Sequence, residues 1–388
     1  MRLKLIVGFE IQKLLLQFSY SFFALKTKVK ERTNWAIGVG EVAGLNHMLG
    51  KVVDNSITVN FFESKYYHYT YTYERFKFAS QRIEKIVNFL FAPLLLGKLI
   101  NNCEGFIFIG NKGFLISDID QREFEFDFIT RKKGKIIAYF VGSDIRSPNK
   151  MMEEYFVSGE YNYANYFSWI IPNYMSEEYE KVIIKRADVA NKYARIIYSA
   201  KYDQRSYLRA NALQAPLFMP MENLSFDDSK FETLRHGRIR ICHAPTSPIV
   251  KGTQVIRTII DMLKNDGFEF EYTELLHTSN EHVLEILKKS HIAINELYAF
   301  SPGIFTIEAL MASCAVLTRA DSKFESDLPT GANSAWLVTP PYLLYENLRQ
   351  LLENPESIRL QARSGFEWCK ANYSLECNKD EFNKLIRQ

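Results

Sequence analysis

The sequence predicts an α/β protein with parallel sheets, because two successive segments each read as a strand, a loop and a helix. In the first segment the apolar run 240–244 forms a strand, and a helix with apolar residues at helical spacing opens at Thr253. In the second, a strand over 292–297 leads through the turn 301–303 into a helix over 304–312. Strands that alternate with helices in this way pair in parallel and are covered by the helices.

The length of the chain indicates two domains. A chain of 388 residues is too long for one ordinary core, and it suits two domains of roughly 150 to 200 residues each. Residues 211–237 contain Pro216 and Pro220 and have no strong periodicity, so we expect the crossover between the domains there. A final helical region is expected over roughly 343–370, followed by residues 372–388.

Charged residues on the two strand-loop-helix segments indicate a phosphate site. In open parallel sheets ligands bind beyond the carboxyl ends of the strands, where helix N-termini offer free backbone N–H groups to phosphate. Lys251 lies in the first such loop and Gly303 in the second. Glu308 interrupts an otherwise apolar helix, and a carboxylate in that position needs a partner. The pattern suits a nucleotide diphosphate.

Composition narrows the class of protein. The formal net charge of +3 is too small to indicate nucleic-acid binding by itself. The five cysteines form no Cys-x-x-Cys pair, which favours reduced structural thiols in a cytoplasmic protein. Residues 1–8 read as a short strand without a signal-peptide cleavage site, so we expect the chain to stay inside the cell. The apolar window 86–100 is shorter than the ~20 residues needed to span a bilayer and is expected to form a buried helix, with a membrane-facing role as the alternative.

Two N-terminal segments have alternative interpretations. Residues 11–32 combine apolar side chains with Lys26, Lys28, Lys30 and Arg32, which suits either a helix on anionic lipid or a core helix with a solvated end. The tyrosines at alternate positions from 67 to 73 would share one face of a strand. They would either stack on sugar rings of an acceptor or reflect the general preference of aromatic residues for strands.

Taken together, the motifs resemble those of the retaining sugar-nucleotide glycosyltransferases of GT-B fold that build bacterial surface polysaccharides. The resemblance spans roughly residues 100 to 375 and lies in the whole pattern. In the first half the matching stretches are a strand that ends in Gly-Ser-Asp-x-Arg (135–146), a helix end with a basic residue, Ala and Asp (185–188), and the interdomain link (216–220). In the second half they are the diphosphate loop (243–253) and the second half of a Glu-x7-Glu signature (303–310).

The resemblance implies two Rossmann-like domains that face each other across a cleft. Residues 1–212 would form the acceptor-side domain and residues 213–237 the interdomain link. Residues 238–370 would bind the nucleotide sugar, and a helix over 371–388 would cross back to the first domain. No cofactor is implied beyond the nucleotide-diphosphate sugar as co-substrate. No metal is expected, because Asp118-Ile119-Asp120 matches the metal-binding pattern of a different glycosyltransferase fold and lies outside the cleft motifs.

The resemblance also assigns roles to residues. Lys251, Glu308 and Asp144 are the catalytic candidates: Lys251 would neutralise the diphosphate, Glu308 would bind the ribose, and Asp144 would face the cleft. The acceptor side would contain Gly38, Gly40, Asp144 and Arg146, although Asp144 and Arg146 would alternatively pair with each other. The nucleotide-sugar site would be formed by Gly40, His243, Lys251, Gly252, Thr253, Glu296, Ser301, Gly303, Ile304, Phe305 and Glu308.

Several positions depart from the family pattern. The first glutamate of the signature falls at Phe300, and the histidine that often precedes Gly-Ser-Asp falls at Val141. The usual glycine and proline after the second helix fall at Ser313 and Ala315. Glu296, at the end of the preceding strand, either takes over the role lost at Phe300 or is a solvent-facing charge.

The implied function is transfer of a sugar, with retention, from a nucleotide-diphosphate sugar to a growing surface glycan such as capsule or lipopolysaccharide. Its partners would be a nucleotide sugar and a glycan or lipid-linked glycan, without nucleic acid. The protein would lie in the cytoplasm, with peripheral association at the inner face of the cytoplasmic membrane. The alternatives are a GT-B sugar-nucleotide epimerase or hydrolase, and a degenerate GT-B module that binds a glycan or a partner protein.

Overall fold

A computed structural model describes residues 2–26, 32–64, 66–221, 223–232, 234 and 238–388. The strands are β1 Asn34–Gly38, β2 Ser56–Asn60, β3 Tyr73–Glu74, β4 Cys103–Ile109, β5 Lys135–Tyr139, β6 Ile196–Tyr198, β7 Ile239–His243, β8 Phe270–Glu274, β9 Ile292–Ile294, β10 Ala315–Thr318 and β11 Leu337–Val338. The helices of the first half are α1 Arg2–Lys26, α2 Leu45–Val52, α3 Gln81–Asn102, α4 Glu123–Arg131, α5 Pro148–Ser158, α6 Ala164–Phe167 and α7 Glu177–Tyr193. Those that follow are α8 Ser229–Glu232, α9 Pro248–Lys251, α10 Thr253–Asn265, α11 Asn280–Lys289, α12 Ile304–Met311, α13 Ala332–Ala335, α14 Leu344–Glu353, α15 Pro355–Tyr373 and α16 Leu375–Arg387.

The first sheet is parallel and has the strand order β3-β2-β1-β4-β5-β6. One of its faces packs against α1, α3, α4 and α7 through a core that includes Phe106 and Phe108 of β4. The opposite face packs against α2 and α16, with Phe382 and Ile386 of α16 buried against Tyr198 of β6. The last helix of the chain therefore covers the first sheet.

The second sheet is also parallel, with the order β11-β10-β9-β7-β8. Its two faces bury separate apolar clusters, one with α10 and α14 and the other with α11, α12, α13 and α15. The predicted α/β class with two parallel sheets is confirmed. The domain boundaries placed at 212, 237 and 370 stay predictions.

Two local predictions about the N-terminal part are wrong. Residues 2–8 belong to the helix α1, in which Phe9 and Leu16 are buried; a short apolar run has no periodicity that separates a strand from a buried helix. Of the alternating tyrosines, only Tyr73 lies in a strand. Tyr71 instead donates its hydroxyl to Glu41 Oε2 at 2.7 Å, and Tyr69 stacks on His47 with ring centroids 3.9 Å apart.

Helices α1 and α3 run side by side in the same direction. Gln12 Nε2 donates to Phe89 O at 3.0 Å and Asn101 Nδ2 donates to Tyr20 O at 3.0 Å. At Gly97 a Cβ would lie 2.6 Å from the Tyr20 backbone nitrogen, so the helices touch where a side chain is missing. The predicted buried helix over 86–100 is confirmed for its second half, where residues such as Leu96 and Ile100 are buried. Lys28 and Lys30 lie outside the described residues. Among the described helices, none is long and apolar enough to cross a membrane.

Gly38 is fixed by the packing of the sheet. It has a φ of +153°, and a Cβ at this position would lie 2.3 Å from the carbonyl oxygen of Val59 on the neighbouring strand. We expect Gly38→Ala to lower the free energy of unfolding by about 2 kcal/mol or more, because the clash involves backbone. Chemical denaturation measures this free energy.

Gly159→Ala is the matched control, since Gly159 has a φ of +73° but no atom within 4 Å of the added Cβ. This substitution should lower the free energy of unfolding by only about 1 kcal/mol. Equal losses in both variants would contradict the packing role.

Candidate functional site

Loops at the carboxyl ends of the strands of both sheets form a cleft with two adjoining chambers. The larger chamber has a volume of about 360 Å³ and is lined by loops that follow β1, β5, β6, β7 and β9, including residues 42–43, 140–142, 203–204 and 301–304. The smaller chamber has a volume of about 190 Å³ and is lined by Tyr66 and Tyr67 from the first half and by α11 and α12 from the second. Lys251, Thr246 and Ile304 line both chambers.

Lys251 stands at the junction of α9 and α10. Gly252, which has a φ of +76°, links the two helices, and a Cβ there would lie 3.0 Å from Leu297. This left-handed position holds the loop against the end of β9 and directs Lys251 into the cleft. Lys251 Nζ lies 2.5 Å from Glu296 Oε2, and the two side chains are 20% and 4% exposed. Glu296 is therefore a buried partner of the lysine and not a solvent-facing charge.

Burial shifts the protonation of this pair. It lowers the pKa of Lys251 to about 8 and raises the pKa of Glu296 to about 8. Arg146 and the Gly303 N–H oppose the rise for Glu296, and Asp203 opposes the fall for Lys251. Because Nζ and Oε2 are 2.5 Å apart, the two groups titrate as one unit, and the positive charge of this unit falls as pH rises through about 8.

We therefore expect the affinity for a nucleoside diphosphate to fall as pH rises through about 8. An anion binds the protonated pair more tightly, so binding takes up a proton above this pKa and weakens there. Isothermal titration with UDP and GDP between pH 6.5 and 9.5, in buffers of different ionisation enthalpy, measures both the affinity and the proton uptake. An affinity that stays constant up to pH 9.5, as expected for a lysine with the ordinary pKa of about 10.4, would contradict the assignment.

Arg146 and Asp203 form a second ion pair in the larger chamber. Arg146 Nη2 lies 3.2 Å from Asp203 Oδ2, and Arg146 Nε donates to Asp203 O at 2.7 Å. Asp203 also accepts the Phe300 N–H at 3.3 Å and the Ser301 hydroxyl at 3.1 Å. Arg146 is fully buried, and its Nη1 has no hydrogen-bond partner in the described part of the chain. Arg146 lines the larger chamber, and its guanidinium lies 4.6 Å from the ring centroid of Tyr163, which lines the chamber as well.

Phe300 does not face the ligand cavity. Its ring is buried between Tyr202 and Phe324, with centroids 4.9 and 4.8 Å away, and the guanidinium of Arg319 lies 4.4 Å from its centroid. Its neighbours Ala299 and Ser301 line the larger chamber instead. The position expected for the first signature glutamate is thus part of an aromatic cluster. The carboxylates near the cavity at this end are Glu296 and Asp203.

Glu325 connects the two halves beside this cluster. Its carboxylate accepts the backbone N–H groups of Lys201, Tyr202 and Asp203 at 2.8, 3.1 and 3.0 Å. The side chain is buried, and burial raises the pKa of Glu325 to about 7. Lys201 Nζ also lies 2.5 Å from Asp327 Oδ2. These contacts hold the loop after β6 against the second half.

The N-terminus of α12 and Glu308 lie at the smaller chamber. Gly303 precedes the helix, and a Cβ there would lie 2.9 Å from Glu296 Oε1, so the glycine admits the Glu296 side chain. Ile304 and Phe305 line the chamber with their helix-start amides nearby. Glu308 accepts the Asn280 Nδ2 donor at 2.7 Å, and burial raises its pKa to about 7. Tyr67 lines the chamber from the first half.

Other predicted site residues have their hydrogen bonds within the protein. The buried ring of His243 lies 2.8 Å from Ile294 O and 2.9 Å from Thr253 Oγ1 through its two nitrogens. Burial lowers the pKa of His243 to about 4, so the ring is neutral. It therefore links β7 to β9 and α10. Asp144 accepts the Val141 N–H at 3.2 Å, and its carbonyl accepts from Arg186. It therefore shapes the turn after β5, and its predicted pairing with Arg146 is replaced by the pair Arg146–Asp203.

The glycines predicted on the acceptor side have packing contacts. A Cβ on Gly40 would lie 3.4 Å from the ring of Phe62, and Gly38 is constrained by Val59. The residues of this loop that line the larger chamber are Val42, Ala43 and Leu45. Sequence reasoning missed these, and it also missed Asp203 and Asn280. Both polar residues have a position that signals them, since Asp203 follows strand β6 and Asn280 begins helix α11.

The whole arrangement is similar to solved glycosyltransferase structures. HepE of Anabaena, in complex with UDP-glucose, has a TM-score of 0.55 at 10% identity over 91% of this chain and 98% of its own. Sucrose-phosphate synthase from Thermosynechococcus elongatus has a TM-score of 0.58 at 10% identity, over 92% and 99%. WaaG, a glycosyltransferase involved in lipopolysaccharide biosynthesis, has a TM-score of 0.53 at 10% identity, over 91% and 99%.

No protein-family model matches the sequence, and no curated protein is significantly similar to it. The structural similarity nevertheless extends over nearly the whole chain and over both sheets. The chain therefore has the GT-B fold, with two parallel-sheet halves and the cleft between them, as the resemblance implied.

Proposed function

We propose that this protein is a glycosyltransferase that moves a sugar, with retention, from a nucleotide-diphosphate sugar to a surface glycan. The observation that carries the proposal is Lys251, held with Glu296 in a cleft between the two halves of a GT-B fold, next to the N-terminus of α12. Such a site suits a diphosphate that carries a sugar on one side and a nucleoside on the other. HepE, which has the same fold, binds UDP-glucose.

In this proposal Lys251 and the first amides of α12 stabilise the diphosphate as it leaves. Negative charge grows on the diphosphate while the bond to the sugar breaks, and a preorganised ammonium and helix N-terminus stabilise that charge without reorganisation. The acceptor hydroxyl attacks from the face that the diphosphate leaves, which retains the configuration. Positioning and electrostatics then replace an enzyme nucleophile.

Glu296, Asp203 and Arg146 bind the sugar in the larger chamber. Glu296 takes over the role of the residue missing at Phe300, because its carboxyl group lies at the wall of that chamber beside Gly303. Arg146 contributes its unpartnered Nη1 donor. Glu308 binds ribose hydroxyls in the smaller chamber, where Tyr67 faces the nucleoside. Asp144 acts at a distance from the sugar by holding the turn that carries Arg146.

The acceptor in this proposal is a capsule, lipopolysaccharide or similar glycan, free or lipid-linked, at the inner face of the cytoplasmic membrane. WaaG, with the same fold, is involved in lipopolysaccharide biosynthesis. A panel of UDP-, GDP- and CMP-sugars tests the proposal through nucleotide release with and without polysaccharide and lipid-linked acceptors. Acceptor-dependent release with a product of unchanged anomeric configuration is the expected result.

The other outcomes of this panel identify the alternatives. Turnover that does not depend on an acceptor indicates a sugar-nucleotide epimerase or hydrolase. Nucleotide binding without turnover of any donor indicates a binding module, as the loss of a glutamate at Phe300 would allow.

A further inference from the structure

Helix α1 has an apolar stripe along its exposed side. Its core-facing side chains, such as Phe9 and Leu16, are buried against α3. On the opposite side a row of exposed apolar residues forms the stripe, with exposures from 41% to 90%, and Ile6 beside it is 40% exposed; the row consists of Leu3, Val7, Ile11, Leu14, Phe18, Phe22 and Leu25. A helix that is apolar on two sides normally has both sides covered, so the outer side of α1 needs an occupant.

The stripe is straight. Its six steps advance the chain by 22 positions from Leu3 to Leu25, about 3.7 residues for each step, which is close to the 3.6 residues per turn of a straight helix. This period differs from the 3.5 of a left-handed coiled coil, although a right-handed coiled coil between two copies has a similar period. At 1.5 Å per residue the stripe is roughly 33 Å long. The charge of the surrounding surface therefore decides between a lipid surface and a second helix.

The charge around the stripe is strongly positive. Residues 2–26 and the adjoining segment 75–90 contain eight lysines and arginines and two glutamates, a net charge of +6, whereas the whole chain has +3. The rest of the protein therefore has a net charge of −3. Phe76, Phe78, Ile83, Ile86 and Leu90 of the second segment are exposed apolar residues, 38% to 51% accessible. Basic and apolar residues are thus concentrated on the α1–α3 pair.

We propose that the exposed side of α1, together with the start of α3, docks on the surface of an anionic lipid bilayer. Apolar side chains enter the boundary of headgroups and acyl chains, while basic side chains pair with anionic headgroups. The helix lies in the plane of the interface and does not cross the membrane. This docking goes beyond the proposed transfer reaction and does not require it.

The docked face adjoins a groove beside the carboxyl ends of the strands of the first sheet. The groove has a volume of about 940 Å³ and is lined by Leu5 of α1, Phe89 of α3, and residues 61–62 and 112–118, which follow β2 and β4. Phe62 at one end of the groove packs against Gly40 of the loop that covers the cleft. A bilayer on α1 would therefore lie beside a partly apolar path to the carboxyl ends of the first sheet.

Vesicle flotation tests the docking with the full-length protein. Wild type should bind vesicles of phosphatidylcholine with 30% phosphatidylglycerol and bind pure phosphatidylcholine much more weakly, and binding should fall as salt is raised. Leu14→Glu/Phe18→Glu should lower binding to the anionic vesicles at least about 10-fold, since it places two charges in the centre of the stripe. Phe156→Glu/Val157→Glu is the matched control, because these exposed residues, 77% and 84% accessible, lie on α5; it should bind as wild type does.

Circular dichroism and UDP titration verify that each variant folds. Leu3→Ser/Leu25→Ser is a milder second variant, for which we expect an intermediate loss of vesicle binding. Absence of vesicle binding by wild type would overturn the proposal, and so would unchanged binding of both stripe variants. Light scattering tests whether a second copy of the chain covers the stripe instead. If wild type forms a dimer and does not bind lipid, and Leu14→Glu/Phe18→Glu is a monomer, the stripe is a dimer interface and the proposal is overturned. Because vesicle binding needs no donor sugar, its failure and the failure of glycosyl transfer are measured separately.

Discussion

Lys251→Ala is expected to lower the affinity for a nucleoside diphosphate about 100-fold and to abolish turnover of a donor sugar. Lys251 is the ammonium group that lies in the cleft beside the start of α12, and loss of a partly buried, charge-assisted contact of this kind costs about 3 kcal/mol. The fold should survive, because Glu296 has a raised pKa and can remain as a neutral acid when its partner is absent. Isothermal titration with UDP and GDP measures the affinity.

Two variants control this result. Lys264→Ala removes an exposed lysine from the other end of α10 and should leave the affinity unchanged. Glu296→Gln retains the ammonium group and an acceptor for it, so it should keep the binding of the free diphosphate and lose turnover of the sugar donor. An affinity of Lys251→Ala equal to that of wild type would refute the proposed diphosphate site.

At a pH above 7, where Glu308 is ionised, Glu308→Gln is expected to weaken nucleoside diphosphate binding roughly 10- to 100-fold, since hydrogen bonds to charged groups contribute about 1.5 to 3 kcal/mol. Glu308 shares the smaller chamber with Tyr67, and its Oε1 accepts from Asn280. A glutamine at this position has no charge, and its NH2 group cannot accept the hydrogen bonds that ribose hydroxyls donate. The loss should be absent for inorganic pyrophosphate, which has no ribose.

Glu285→Gln is the control for this change, because Glu285 lies on the exposed side of α11, the helix that supplies Asn280. Competition between UDP and pyrophosphate in the same titration separates ribose binding from diphosphate binding. If Glu308→Gln weakened both ligands equally, Glu308 would have to act on the diphosphate or on the fold and not on the ribose.

The sequence was sufficient for the fold class and for the placement of Lys251, since the strand β7 and the helix α10 lie where the apolar periodicity predicts them. Such patterns depend only on residues close in sequence, so they can be recognised without knowledge of the fold. His243 illustrates the limit. Its position next to the diphosphate loop resembles a ligand contact, but the ring is used to link β7, β9 and α10.

Contacts between distant segments could not be predicted. Asp203 contacts Arg146 and Ser301, which are 57 and 98 residues away in sequence. The buried cluster around Phe300 likewise joins residues of both halves. The helix α1 was partly obscured because its sequence is apolar on two sides, which removes the periodicity that normally marks a surface helix.

The hydrogen bonds between Glu325 and the loop 201–203 affect the route by which ligands leave the cleft. Separation of the two halves beside the larger chamber breaks three bonds from backbone N–H groups to one carboxylate, together with those that Asp203 accepts from Phe300 and Ser301. At the smaller chamber the described residues join the halves through one backbone hydrogen bond, which Asn280 N–H donates to Tyr66 O at 3.1 Å. We therefore expect the cleft to open first on the nucleoside side, so that a spent nucleotide leaves past Tyr66 while the sugar side stays closed.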